Sequence, residues 1–338
     1  MSEEAPGWDA IDEALAPLYG DQNPKHMGTV VPYELGGPDR IRGISAYRSD
    51  HGAAHWHYVT YGFSELFEKS SDDPEFSGFG FELTFRLARR QGETDPPMFA
   101  FNLLQNLARY VFNSGNVFEP GHHMDANGPI ALETGTKLTA LCFIEDPQLP
   151  TIDTPHGKVS FVQLVGITGD ELQAIKRWNT VGLLGLARQA DPVLITDLDR
   201  PSWLLDQGFR AAVEAGVERD GSSTGLLFLR NIAFSGDTLI LGTLESRTIG
   251  PVLASRLKHG NGLIIQSPGP TVRFSPGAAS AVTEDDGALH IEVAAEDTDT
   301  VVALFAEHVG SHRCHFLASR VERSEIKDPN GNVVEILE

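Results

Sequence analysis

Two imidazoles flank an indole at His55-Trp56-His57. In an extended strand this spacing puts both rings on one face, where a zinc site could use them. His122 and His123 offer further ligands from a turn-rich loop, and Glu82 is available as a general base. A metal-dependent hydrolase built on His55, His57 and His122 is therefore one reading. The competing reading is a sheet face of hydrogen-bonded histidines with Trp56 and Tyr58 packed opposite. No HExxH or comparable spacing accompanies the pair, and the sequence holds no GxSxG, no P-loop and no GxGxxG after a strand. His312-Arg313-Cys314-His315 lacks a second ligand pair and reads as a strand of alternating exposure.

Other side chains suit recognition rather than catalysis. Glu145-Asp146 closes the apolar run LTALCFIE. It is either a solvated turn shaped by Pro147 or a pair of carboxylates ready to accept from a His, Lys or Arg of a bound peptide. Tyr110 lies among apolar neighbours on a helix and by itself reads as a core residue with its hydroxyl at the rim. Phe79, Phe81, Leu83 and Phe85, spaced by two, form a core face. Glu82, Thr84 and Arg86 then point the other way, toward solvent or a cleft between domains. Gly78 and Gly80 mark a bulge or a close backbone approach.

The elements that position these groups follow from periodicity. Trp8, Ile11, Leu15 and Tyr19 predict an amphipathic helix over 8–19, and Phe101, Leu104, Leu107, Ala108, Val111 and Phe112 predict another over 98–113. Strands are expected at 55–61, 79–87, 138–145, 158–167 and 193–198. Residues 64–68 make a helical turn at most. Gly36-Gly37-Pro38 and Asp328-Pro329-Asn330-Gly331-Asn332 are turn signals, the latter favouring a hairpin. Thr168 caps a helix with acidic residues in its first turn, and a further helix ends at Gly221. GSSTG at 221–225 separates this part from a strand-rich remainder with one helix at TVVALFAEHV. The expected fold is α+β, with two domains, 1–225 and 226–338, each a mixed sheet with packed helices.

Composition narrows the partners. There are 47 acidic and 26 basic residues, a formal net charge of −21. Such a surface repels nucleic acid and anionic lipid and favours a basic partner. The beginning of the sequence, MSEEAPGWDAIDEAL, lacks the pattern of a signal peptide, and no apolar run is long enough to span a membrane. With only Cys142 and Cys314, a disulfide framework is not expected. These features point to the cytoplasm and to no cofactor.

A series of ordered blocks carries a family resemblance. They are Tyr33–Asp39, His55–Tyr58, SGFGFELTFRL at 77–87, Leu107–Phe112, Glu145–Gln148, Thr154–Gly157, Gln163–Gly166, Leu194–Asp197 and Val213–Gly221. Together they resemble the suppressor of fused family, in its compact bacterial form without the long disordered insertion of animal members. The resemblance implies a non-catalytic protein-binding module. In animal members two domains close around an extended peptide that adds as a strand between their sheets. Tyr110, Glu145 and Asp146 match residues of that cleft. His122 stands where the animal cleft has an aspartate, and His57 is a further candidate beside it. If the histidines line the cleft, binding depends on pH between about 5 and 8. For bacterial members the resemblance also implies an alternative, immunity against a basic, nuclease-type toxin.

Overall fold

The structure, a computed structural model of the chain, describes residues 4–29, 37, 40–327 and 332–338. The turn expected at Gly36-Gly37-Pro38, most of the Tyr33–Asp39 block and the Asp328–Asn332 turn, apart from Gly37 and Asn332, lie outside the described residues. The chain folds as two compact units. One is Met1–Leu172 with Thr180–Phe209, and the other is Gln173–Asn179 with Arg210–Glu338. Both are α+β.

The first unit contains α1 (Pro6–Tyr19), β1 (Lys25–Gly28), β2 (Gly43–Ser49), β3 (His55–Tyr61), β4 (Phe76–Ala88), α2 (Met98–Ser114), β5 (His123–Asp125), β6 (Leu138–Glu145), β7 (Ile152–Thr154) and β8 (Gly157–Thr168). Helix α3 (Gly169–Arg177) starts in it, and α4 (Thr180–Ala187) lies within it. Its strands form one eight-stranded sheet in the order β1-β2-β3-β4-β8-β6-β5, with β7 paired to β8. Among its described strands only β4 and β8 pair in parallel, with α2, β5, β6 and β7 in the connection between them.

Both faces of this sheet are covered. On one face Trp56, Tyr58, Phe81, Leu83, Phe85 and Phe143 pack against Phe101, Leu104, Leu107 and Val111 of α2. On the other, Ile11 and Leu15 of α1 pack with Tyr47, Val59, Tyr61 and Phe161. A central strand covered on both sides has no solvent face. Glu82, Thr84 and Arg86 are therefore buried and not directed to solvent, the first of the two settings the sequence offered. The Phe79–Phe85 core face stands as expected, with Phe79 only partly covered. The glycines act as the sequence indicated. Gly78 has φ +57°, and a Cβ there would lie 2.6 Å from the Phe63 carbonyl oxygen. The β4–β8 register shifts between Phe76 and Phe81, around it.

Residues 193–198 do not form the expected strand. Thr196 makes a single bridge to Leu87, and the rest is turn and coil in which Val193 and Leu194 are buried and Asp197 is exposed. Residues 64–68 contain bends but no helical turn. At the start of α3, Thr168 is the cap residue, but the Glu171 side chain does the capping by accepting the Thr168 N–H at 2.8 Å.

The second unit contains most of α5 (Gln207–Asp220), then β9 (Leu226–Phe228), β10 (Ile232–Ser235), β11 (Thr238–Gly242), α6 (Thr243–Leu257), β12 (Leu263–Gln266), β13 (Thr271–Pro276), β14 (Ala281–Asp285), β15 (Ala288–Val293), α7 (Thr298–Val302), β16 (Gly310–Arg313), β17 (Ala318–Glu322), β18 (Ser324–Lys327) and β19 (Val333–Leu337). The sheets are β10-β11-β17-β16, β14-β15-β13-β12-β9 and the pair β18-β19. The sequence placed the division at residue 225, whereas this unit takes up the chain at Arg210. The reason is packing along α5: the Trp178 indole donates to Asp220 at 2.8 Å, and Gly216 lies against its ring. The single helix expected after residue 226 is corrected as well. Helix α6, absent from the sequence reading, supplies Ile249, Val252, Leu253 and Leu257 to the core, and α7 is only the start of TVVALFAEHV.

Candidate partner-binding surface

The side chains singled out by sequence fall into two groups on different faces of the first sheet. Asp146 and His57 belong to a buried polar cluster below α1. Tyr110, His122 and Glu145 lie around the α2 side and the β5–β6 edge.

Asp146 is 6 % exposed. Its Oδ2 accepts from Arg86 Nη1 at 2.6 Å and from the Thr84 hydroxyl at 2.6 Å, and its Oδ1 accepts from Arg86 Nη2 at 3.0 Å. The backbone N–H groups of Gln148 and Leu149 donate to Oδ1 at 2.8 and 3.0 Å. Arg86 also donates to Gln163 and to Gln148 Oε1, and Gln163 in turn donates to the carbonyls of Val193 and Leu194. This corrects the expectation of paired carboxylates open to a guest. The acceptor capacity of Asp146 is engaged by its own chain, and only Glu145 is exposed. The Asp-Pro dipeptide was the usable signal: an aspartate opening a turn satisfies the N–H groups that follow it.

His57 is likewise fully buried, with Nδ1 2.6 Å from the Tyr19 hydroxyl and Nε2 3.4 Å from Asp146 Oδ2. Burial, and then the Arg86 charge, pushes the His57 ring down to about 4, so it is neutral at pH 7. Burial opposes ionisation of Asp146, but the His57 contact and the Arg86 guanidinium outweigh it and hold the carboxyl far below its ordinary range. With His57 neutral, Arg86 is the cation that matches Asp146. His57 therefore lines no open cleft, and the pH-tuning role given to it by sequence is replaced by a structural one.

That role has a pH signature. An unfolded histidine takes a proton near pH 6.5. The folded ring takes one only near 4, so between these values the unfolded chain holds more protons. Stability then falls as pH drops through that window, by up to about 1.4 kcal/mol per pH unit for one proton. Asp146, with its depressed carboxyl, adds a loss in the same direction at still lower pH. Guanidinium unfolding at pH 7, 6 and 5 should show a falling midpoint, and His57→Gln should flatten the trend. A midpoint independent of pH in the parent would contradict this.

The hydrolase reading needs His55, His57 and His122 around one ion. His55 directs Nδ1 to the Ala53 carbonyl at 2.7 Å, and His57 is held as described. His122 lies beside Glu119, with Nδ1 accepting the Glu119 N–H at 3.2 Å. Among the described residues no group of three His, Cys, Asp or Glu side chains is placed to hold a metal. Glu82 is no free base, since it accepts from the Thr60 and Ser64 hydroxyls at 2.6 Å and from the Gly62 and Ser64 N–H groups at 2.9 Å. It anchors the loop after β3. Protein purified without a histidine tag should carry substoichiometric zinc by metal analysis, and a full equivalent per chain would revive the enzyme.

The second group is accessible. Tyr110 is 40 % exposed on α2. Its ring stacks on Phe118 at 5.6 Å, and Phe118 stacks on Phe143 of β6 at 4.1 Å. Asn116 donates to the Tyr110 hydroxyl at 3.1 Å. His122 is tied to the same strand: the Phe143 N–H donates to the His122 carbonyl at 3.0 Å, and the Gly121 N–H to the Phe143 carbonyl at 2.8 Å. Among the described residues no strand lies beside the outer side of β6 beyond Phe143, since β5 pairs only with Ala140–Cys142. Exposed Glu145 ends that stretch. The turn-rich loop that carries His122 and His123 was visible in the sequence, but not that His123–Asp125 forms the edge strand or that Phe118 bridges Tyr110 to β6.

A mixed eight-stranded sheet with helices on both faces, followed by a second α+β unit, defines the class. The suppressor of fused protein (SUFU) family description matches residues 37–201. The suppressor of fused homologs of Homo sapiens and Mus musculus are each 39% identical over 236 residues, covering 64% of this chain and 48% of theirs. The chain thus spans about half the length of these curated relatives. The crystal structure of Drosophila suppressor of fused matches with a TM-score of 0.75 at 24% identity, covering 100% of this chain and 98% of that one. A chain of the Sufu–Fu complex crystal structure matches with a TM-score of 0.58 at 34% identity, covering 62% of this chain and 98% of that one. The chain belongs to the suppressor of fused family.

Proposed function

We propose that this protein is a non-catalytic binder that captures an extended segment of a partner protein as an added strand. The reading rests on Tyr110, an exposed ring held on a rigid aromatic column beside a short edge strand. A tyrosine in that setting offers apolar area and a hydroxyl at small entropic cost, which suits an interface anchor. Backbone groups along the β5 edge and the outer side of β6 at Glu145 would take up the guest's N–H and C=O groups, and pockets for alternate side chains would give specificity. His122 and Glu145 then flank the guest.

In the second unit β9 ends the five-stranded sheet and is also an edge. The family resemblance implies a guest strand held between two domains, as in animal members. A relative is known from a complex, the Sufu–Fu structure, which favours a protein guest. The net charge of −21 favours a basic one. No nucleic acid or membrane is involved in this reading. Among the described residues no helix is long and apolar enough to cross a membrane.

Hydrogen exchange with a partner recovered from the native cell tests the reading. Amides of His123–Asp125 and Phe143–Glu145 should slow in the complex. Protection confined to other segments would refute strand addition here.

A further inference from the structure

A cavity of about 330 Å³ opens beside α1 in the first unit, on the sheet face opposite to Tyr110. Its lining includes Trp8, Asp12, Tyr19, His26, Ser45 and Tyr47. Trp8, Asp12, Leu15 and Tyr19 repeat at helical spacing, so one face of α1 presents two aromatic rings with a carboxylate between them. The rings are held in place. Trp8 stacks on Tyr61 at 4.4 Å and lies 5.3 Å from the His26 ring, and Tyr19 stacks on Tyr47 at 4.4 Å. The Tyr19 hydroxyl is fixed from below by His57 at 2.6 Å, and His26 Nδ1 lies 3.0 Å from the Ser45 hydroxyl. The Tyr61 hydroxyl donates to Asp12 Oδ1 at 2.8 Å, which orients the carboxylate.

The charge balance of this cavity is one-sided. Its described lining has one carboxylate and neither lysine nor arginine. Burial pushes the His26 ring below its ordinary range, so it brings no competing cation at pH 7. A single carboxylate and a single imidazole are too few ligands for a structural metal. Aromatic faces beside a carboxylate instead suit a large, weakly hydrated cation. The volume lies at the small end of ligand pockets, enough for a trimethylammonium head and a short tether.

We propose that this cavity binds an organic quaternary ammonium group, presented either by a trimethylated lysine side chain of a protein or by a free small quaternary amine. The site is separate from the Tyr110 surface and does not depend on the function proposed for it.

The test uses the intact chain and choline, with 3,3-dimethylbutan-1-ol as its uncharged isostere, followed by tryptophan fluorescence and by amide shifts of α1. Choline should bind saturably and about tenfold or more tighter than the alcohol, as a desolvated cation–π contact with a carboxylate requires. Asp12→Asn keeps an acceptor for Tyr61 and should weaken choline by about fivefold or more with an unchanged melting point. Trp8→Leu, followed by the amide shifts of α1, should weaken choline as well. A lysine-bearing peptide, plain or trimethylated, compared with its norleucine analogue then separates the sources: cation-dependent binding of the peptide points to a protein lysine, and binding of choline alone to a free amine. Equal binding of choline and the alcohol by the parent would overturn the proposal. So would an Asp12→Asn variant that binds choline as well as the parent, or the absence of saturable binding of every cation.

Discussion

Arg86→Met should cost the first unit about 3–5 kcal/mol, a range measured when one partner of a buried ion pair is removed. Arg86 and Asp146 are both shielded from solvent, and the methionine leaves Asp146 ionised in a dry site with only the Thr84 hydroxyl and two backbone N–H groups as donors. The loss extends past the pair. Gln163 loses the guanidinium donor, and the coil at Val193–Leu194 is held to β8 through the same glutamine. Urea unfolding followed by tryptophan fluorescence should show an early transition in the variant. The double variant Arg86→Met with Asp146→Leu should recover part of the loss, because no charge is then stranded. A double variant no better than the single would mean that the guanidinium stabilises by packing rather than by charge.

Tyr110→Ala should weaken partner binding by about 2 kcal/mol, roughly thirtyfold, as expected of an aromatic anchor near the middle of an interface. Its ring is 40 % exposed and caps the Phe118–Phe143 stack from outside, so the melting point should hardly move. Glu145→Lys should act differently. An exposed charge at the strand end steers encounter, so reversal should slow association with a basic partner and weaken its salt dependence. The two effects separate in kinetics, with Tyr110 acting on dissociation and Glu145 on association. Asp146→Ala, by contrast, should reduce binding only to the extent that it unfolds the unit. Titrating partner affinity with these variants tells a contact residue from a scaffold residue.

Much of the first sheet was legible because its strands announce themselves by alternation. LTALCFIE is β6 to the residue, and HWHYVTY is β3. The amphipathic stripe of α2 likewise named its own core contacts. The polar interior was not legible. Glu82, Thr84 and Arg86 follow the alternation of a half-exposed strand, and only the cover provided by α1, 60 or more residues earlier in sequence, turns that face inward. The signal was present in α1 itself, since an apolar stripe of Ile11 and Leu15 needs a sheet face to lie on. In the second unit α6 escaped notice because Gly250-Pro251 reads as a turn and because the helix is buried nearly all round, which erases its periodicity.

Of the candidate site, the residue names came from the family blocks and the roles from packing. Tyr110 and Glu145 keep their positions as contact candidates. Asp146 and His57 become parts of the scaffold below α1, because a carboxylate with five internal donors has no acceptor capacity left for a guest. His122 stays near the surface, held by backbone pairing to Phe143.

The most direct measurement compares what the parent and a Tyr110→Ala, Glu145→Lys double variant retain from an extract of the native cell, at equal folded concentration. A protein held by the parent and lost from the variant is the predicted result. Identical retention by both forms would contradict the account, since capture would then proceed without the aromatic anchor and without the acidic strand end.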